Sequence, residues 1–191
     1  MTNYPICEYK LNFITAPLTT FRIGGPADIV AWPKNAQELI DTIKWAQASN
    51  TPITFLGGGS NVLISDFGIR GLLIVTAKMD VIKKENDNFI VECGAGCDVQ
   101  RLVFWAVDNQ LSGLEFAGGL PGSLGGAIWM NAKAYGGEFC NIVTWAETVN
   151  DKNEIEYFTN EQMEFSYKRS IFQKRKLFIT RAKLKFHAGV K

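Results

Sequence analysis

The sequence predicts an α+β fold in two unequal halves, and three observations predict it. Two amphipathic helix patterns, each behind a capping residue, stand among short apolar strand candidates. Their order is not the regular strand–helix alternation of a doubly wound sheet. The glycines are also clustered: of 18 in 191 residues, 11 fall in Gly57-Gly58-Gly59 or between Gly113 and Gly137.

Ile29–Trp32 is the first strand candidate. Asn35 followed by Glu38 reads as a capping-box-like helix start. Leu39, Ile40, Ile43 and Ala46 then share one face through about Ser49. The run Pro52-Ile53-Thr54-Phe55-Leu56 supplies a strand at Ile53–Leu56, and Val62-Leu63-Ile64-Ser65 supplies another beyond the glycines. Leu72–Thr76 and Phe89–Cys93 follow. Asp98 caps a second helix, with Leu102, Val103, Ala106 and Val107 facing inward. Trp145–Val149, Ile155–Phe158 and Leu177–Phe186 complete the strands. In the last of these, Ile179, Arg181, Lys183 and Lys185 alternate against Phe178, Ala182, Leu184 and Phe186. The division falls at residues 1–78 and 79–191, the second part richer in strands.

Composition bounds the function. Hydrophobic residues make up 47% and charged residues 20%, a globular balance. A net charge of +1 lacks the basic footprint of a nucleic-acid binder. The cations Lys168-Arg169 and Lys174-Arg175-Lys176 are local and read as a solvated face. Cys93 and Cys97 have no second pair for zinc, so Cys7, Cys93, Cys97 and Cys140 read as free thiols and no metal is expected. His187 has no histidine partner and reads as structural. Met1 to Lys10 holds no apolar signal core. The uncharged run Phe116 to Ala132 carries too many glycines, and a proline, for a membrane span. A cytoplasmic protein without membrane contact is the expectation.

The chemistry is expected in the glycines. Successive N–H groups in Gly57-Gly58-Gly59-Ser60-Asn61 can form an anion-binding concavity, and Gly admits a ligand close to the backbone. The Ser60 hydroxyl and the Asn61 amide add donors. A second stretch reads Gly118-Gly119-Leu120-Pro121-Gly122-Ser123-Leu124-Gly125-Gly126-Ala127. Two phosphate-sized loops suggest a ligand with two or more phosphates, a dinucleotide first. Neither G-x-G-x-x-G nor G-x-x-x-x-G-K-[ST] is present, which argues against a Rossmann site or a P-loop. Gly24-Gly25 before Pro26 is explained equally well by a turn.

Four segments carry a resemblance: Thr19-Thr20-Phe21-Arg22-Ile23-Gly24-Gly25-Pro26-Ala27; Leu56 to Asp66; Gly113 to Ala127; and Met130-Asn131-Ala132-Lys133-Ala134-Tyr135-Gly136-Gly137-Glu138. In this order they resemble the flavin-binding part of the MurB family, the UDP-N-acetylenolpyruvoylglucosamine reductases, from about Leu18 to the C-terminus. The resemblance implies the two-lobed FAD-binding fold of the vanillyl-alcohol-oxidase and PCMH type. It implies non-covalent FAD, because the glycine loops hold no His or Cys to link it. NADPH would be the co-substrate. The substrate would be a UDP-sugar bearing an enolpyruvyl group, reduced for peptidoglycan synthesis and cell wall biogenesis. A stand-alone FAD-binding module or electron carrier is the alternative.

The residues expected at the cofactor are Gly57, Gly58, Gly59, Ser60, Asn61, Val62 and Leu63 on one wall. Pro121, Gly122, Ser123, Gly125, Gly126, Ala134, Tyr135 and Gly136 form the other, with Gly122-Ser123 opening a helix. Tyr135 reads either as a core aromatic or as a flavin neighbour, and Arg22 as a surface cation or a phosphate neighbour. Trp105 and Trp129 read as core. Two positions depart from the family pattern. Tyr167-Lys168-Arg169-Ser170 stands where the family has Tyr-Arg-x-Ser, so the catalytic cation falls to Lys168 if the stretch is extended, with Arg169 the alternative. Lys133 stands where a glycine is usual, either in an ordinary conformation or with its cation near a phosphate. No counterpart of the family's third, substrate-binding domain follows Phe186, which leaves room for a separate substrate-domain partner.

Overall fold

A computed structural model describes residues 4–87 and 89–189. The extreme ends of the two predicted halves, residues 1–3 and 190–191, lie outside the described residues.

The first sheet gathers β1 (Glu8–Ile14), β2 (Pro26–Trp32), β3 (Ile53–Leu56) and β4 (Ile69–Val75) in the order β1-β2-β4-β3. β1 pairs antiparallel with β2, while β4 lies parallel to both β2 and β3. The parallel strands need a crossover, and α1 (Ala36–Ala48) supplies it between β2 and β3. Asn35 Oδ1 accepts from Glu38 N at 2.9 Å, while Glu38 Oε2 accepts from Lys34 N at 2.9 Å. The reciprocal half of the cap thus reaches one residue further back than a capping box. Leu39, Ile40, Ile43 and Ala46 are buried against Leu72, Ile74 and Val149.

The second sheet draws on β5 (Ile82–Lys84), β6 (Ile90–Gly94), β10 (Val143–Val149), β11 (Ile155–Thr159) and β12 (Phe178–Lys185), all antiparallel, in the order β11-β10-β12-β6-β5. Between β6 and β10 the chain makes α2 (Val99–Asp108), β7 (Leu111–Ser112), α3 (Leu124–Trp129) and the hairpin β8 (Lys133–Ala134) and β9 (Gly137–Glu138). β13 (His187–Ala188) returns to pair with β7. Asp98 Oδ1 caps α2 by accepting from Arg101 N at 2.8 Å. Leu102, Val103 and Ala106 are buried, but Val107 is 61% exposed, a correction to the inward face expected for it. Glu147 is buried because Arg181 Nη2 reaches it at 2.6 Å and the Thr180 hydroxyl donates to it at 2.8 Å.

The strands also depart from expectation. Val62–Ser65 is not a strand; the chain there is irregular, with Ile64 buried and its neighbours facing out. β1 has no counterpart among the expected strands. Its residues are mostly exposed at a sheet edge, so hydrophobic alternation marks it weakly.

The two sheets meet where Phe55 of β3 stacks on Phe178 of β12, ring centroids 3.7 Å apart and planes 13° apart. Such a pair adds about 0.5–1.5 kcal/mol beyond its burial. Beside this stack the strand ends open into the cleft described next.

Candidate functional site

The cleft begins where β3 ends. Gly57 and Gly58 face Gly122-Ser123, and the Gly58 N–H donates to Ser123 Oγ at 3.0 Å. A Cβ on Gly57 would lie 2.7 Å from Ser123 Oγ, and one on Gly58 would lie 2.5 Å from Ser123 N. These glycines therefore first admit the opposite loop, a physical reason different from the ligand approach expected for them. Gly122 answers in kind: its φ is +114°, and a Cβ there would meet Ser60 Oγ at 2.7 Å.

Ser123 is the N-cap of α3, its Oγ also accepting from Gly126 N at 3.5 Å. The segment is fixed to the second half by Val99 N to Gly122 O at 3.0 Å, Leu124 N to Cys97 O at 2.8 Å and Gly125 N to Ala95 O at 2.7 Å. One buried serine thus closes a cap and joins the two halves.

The resulting cleft has a volume of about 580 Å³, within the usual range for a small-molecule site. Gly57, Gly58, Gly59, Ser60, Asn61 and Val62 line one side; Pro121, Gly122, Ser123, Gly125 and Gly126 line another. The floor is apolar, with Phe55, Phe172, Phe178 and Ile179. Among the described residues, the backbone N–H groups of Gly59, Ser60 and Asn61 donate to no protein acceptor. Among the described residues, three cations, Lys168, Arg175 and Lys176, complete the lining, and no carboxylate joins them. A smaller pocket of about 260 Å³ shares Gly58, Gly122 and Ser123 with it and is also lined by the Asp80–Arg101 ion pair at 2.8 Å.

Lys168 sits at the second corner of a tight turn. Ser166 N donates to Arg169 O at 3.0 Å and Arg169 N to Ser166 O at 3.1 Å. The stretch is therefore not extended, contrary to the premise by which Lys168 was preferred to Arg169. Lys168 nevertheless lines the cleft, at φ +56°, whereas Arg169 is exposed outside it. The turn is tied down at two carbonyls: Gln173 Nε2 donates to Lys168 O at 3.0 Å, and Asn131 Nδ2 to Ser166 O at 3.1 Å. Asn131 is fully committed, since Glu138 Oε2 accepts from its amide at 2.9 Å and its Oδ1 accepts from Cys140 N at 2.9 Å. Ser170 is buried and donates to Trp129 O at 2.6 Å.

Leu63 and the hairpin tip lie outside the lining of the cleft. Leu63 is 72% exposed. Tyr135 and Gly136 form the two-residue turn between β8 and β9, with φ of +46° and +84°, the signs a type I′ hairpin requires. Ala134 precedes them, and Tyr135 is 90% exposed, which removes its reading as a core aromatic. Lys133 is in an ordinary strand conformation, its ammonium 4.0 Å from Glu138. Arg22 is exposed. Trp105 packs on the core as expected, but Trp129 lines the cleft and is 47% exposed, a correction.

Sequence reasoning missed Arg175 and Lys176 as cleft residues. The signal was the basic cluster itself, read there as a solvated face. Among the thiols, burial pushes Cys97 up to about 11 and Cys93 higher still, so neither is a nucleophile at neutral pH.

The sequence profile of a family described as FAD binding domain matches residues 27–158. A Bacillus cereus relative, named UDP-N-acetylenolpyruvoylglucosamine reductase 2, is 40% identical over 173 residues, covering 90% of this chain and 56% of its own. A Lactococcus lactis subsp. cremoris relative, named UDP-N-acetylenolpyruvoylglucosamine reductase, is 35% identical over 189 residues, covering 99% and 62%. This chain therefore spans less than two thirds of the length of these relatives. The crystal structure of the MurB reductase from Thermus caldophilus superposes with a TM-score of 0.78 at 29% identity, over 96% of this chain and 63% of that one. Cholesterol oxidase from Brevibacterium sterolicum gives 0.69 at 16% identity, over 97% and 39%, a likeness of fold alone. The two-lobed α+β FAD-binding architecture is thus the fold of this chain.

Proposed function

The chain belongs to the FAD binding domain family, and from that premise we propose that it is the FAD-holding part of a MurB-type reductase. In this reading NADPH is the hydride source and the enolpyruvyl group of a UDP-linked N-acetylglucosamine is the acceptor, in the cytoplasmic synthesis of peptidoglycan precursors. The two halves, 1–78 and 79–191, act as the lobes around the cofactor, and a further domain or partner supplies the rest of the substrate site. The observation that carries the reading is the meeting, in one cleft, of the 57–61 loop, the 121–126 segment and Lys168.

The residues present fit FAD. Unpartnered N–H groups at Gly59, Ser60 and Asn61 suit a pyrophosphate. The apolar floor suits a ring system, and a lining that among the described residues holds cations and no carboxylate suits a polyanion. When bound, the flavin supplies hydride acceptance and donation, which amino-acid side chains lack.

The chain's own part is binding and electrostatics. Gly57 to Val62 with Pro121 to Gly126 hold the cofactor between two interlocked loops. Ala134, Tyr135, Gly136 and Leu63, outside the cleft lining, are proposed to meet the cofactor or a covering domain once either is bound. Lys168, held by its turn, is the group proposed to stabilise negative charge developing on the substrate carboxylate. Arg169 is the lesser candidate because it is exposed and does not line the cleft.

The test is direct. Purified protein is expected to carry a flavin spectrum, or to acquire one with FAD, and to bleach under anaerobic NADPH. A chain that takes up no FAD overturns the reading. A chain that takes up FAD but is not reduced by NADPH favours a carrier module over a reductase.

A further inference from the structure

The three cations of the cleft are not equivalent. Arg175 is committed to Glu156, its Nη2 reaching the two carboxylate oxygens at 3.0 and 2.9 Å, and Asn150 Nδ2 holds the same carboxylate at 2.8 Å. Lys174 turns away and pairs with Glu164 at 2.7 Å, outside the cleft. Lys176 lines the cleft and pairs with no carboxylate among the described residues. Its place is set by the stack between the sheets. Lys176 lies two residues before Phe178, Gly57 lies two residues after Phe55, and the two rings are 3.7 Å apart. Gly57 and Lys176 thus enter the same cleft from opposite lobes, next to a common anchor.

We propose that Lys176 is the second lobe's counter-charge to the cofactor's pyrophosphate, completing a site whose first wall is the 57–61 loop. This rests on the FAD reading above. Backbone N–H groups offer a diphosphate only partial positive charge, and two ionised phosphates leaving water need fuller compensation. Lys176 supplies a whole charge on a flexible stem, while the Arg175–Glu156 pair anchors the backbone from which that stem extends. Lys168 sits on a separate turn and remains available for the substrate.

The inference is tested by titrating the purified chain with FAD and with riboflavin, which has the ring but no phosphate. Lys176→Gln should weaken FAD by roughly 10-fold or more, the scale of a hydrogen bond to a charged group, and leave riboflavin unchanged. Lys176→Arg should retain most of the FAD affinity, and Lys174→Gln all of it. Wild-type FAD affinity should also fall more steeply with salt than that of Lys176→Gln. Wild-type FAD affinity in Lys176→Gln, or an equal loss for both flavins, overturns the assignment while leaving the FAD reading intact. A wild-type chain that binds neither flavin overturns the FAD reading, and this inference with it.

Discussion

The Gly58 N–H and the Ser123 hydroxyl, 65 residues apart in sequence, meet at 3.0 Å across the mouth of the cleft. A Cβ at position 58 would lie 2.5 Å from Ser123 N and 2.6 Å from Gly122 Cα, backbone atoms that cannot step aside cheaply. Gly58→Ala is therefore expected to destabilise the chain even without flavin, by about 1–3 kcal/mol, the usual cost of overpacking. Denaturant unfolding of the flavin-free protein measures it. If the glycine served the ligand alone, that stability would be unchanged and only FAD uptake would fall.

Ser123→Ala removes a helix cap and the inter-lobe acceptor in one change. The expected loss is about 1 kcal/mol from the cap, with weaker FAD binding because the loops no longer hold their spacing. Ser123→Thr keeps the hydroxyl and should recover part of both. Equal FAD affinity in Ser123→Ala and wild type would show that the latch does not shape the site.

Asn131 holds three chain segments together from a left-handed conformation, φ +44°. Asn131→Gly keeps that conformation free of strain and deletes only the side-chain bonds. It is expected to cost about 1–3 kcal/mol, from the buried partners left unpaired. It should also loosen the turn that carries Lys168, read as faster amide exchange at Arg169 in the variant than in wild type.

What was legible in the sequence follows the range of the interaction. Asn35 and Asp98 act on backbone three residues away, so both helix starts could be read from the sequence. The glycine loops were visible because composition marks them. Their reason was not: Gly58 needs its missing side chain because of Ser123, a contact no local pattern encodes. Val62–Ser65 has the composition of a strand, yet it leads from the loop into the next turn without joining a β-ladder. Lys176 reads as a solvated cation in sequence because its place beside the cleft depends on long-range contacts, the Phe55–Phe178 stack and the Arg175–Glu156 pair, that no local pattern encodes. Tyr135 shows the opposite case: a motif position easily read from sequence that the fold leaves at a hairpin tip.

The Glu156 carboxyl is held below its usual range, first by the Asn150 amide and then by Arg175. A depressed carboxyl contributes stability that is fully present above its unfolded pKa, about 4.3, and is lost as pH falls through the folded value. Wild type should therefore exceed Glu156→Gln in stability at neutral pH, and the gap should close on acidification below about pH 4. For a partly exposed pair the gap is expected at about 0.2–1 kcal/mol. Parallel unfolding curves at neutral and acid pH check it; a gap that widens on acidification would reverse the sign.

Lys168 stands at φ +56°, so its replacement must respect the backbone as well as the charge. Alanine would strain the turn, whereas asparagine tolerates the left-handed region and removes the cation. On the proposed MurB-type reading, with FAD bound and a substrate domain supplied, Lys168→Asn should leave flavin reduction by NADPH near wild type. Transfer to the enolpyruvyl substrate should slow by about 10²–10³-fold, the scale of losing one preorganised charge-stabilising donor. Rapid-mixing measurements of the two half-reactions separate these effects. Slowing of both halves alike would mean that Lys168 positions the cofactor rather than the substrate. An unchanged second half would remove the role from Lys168 and send the search to Arg169→Gln in the same assay.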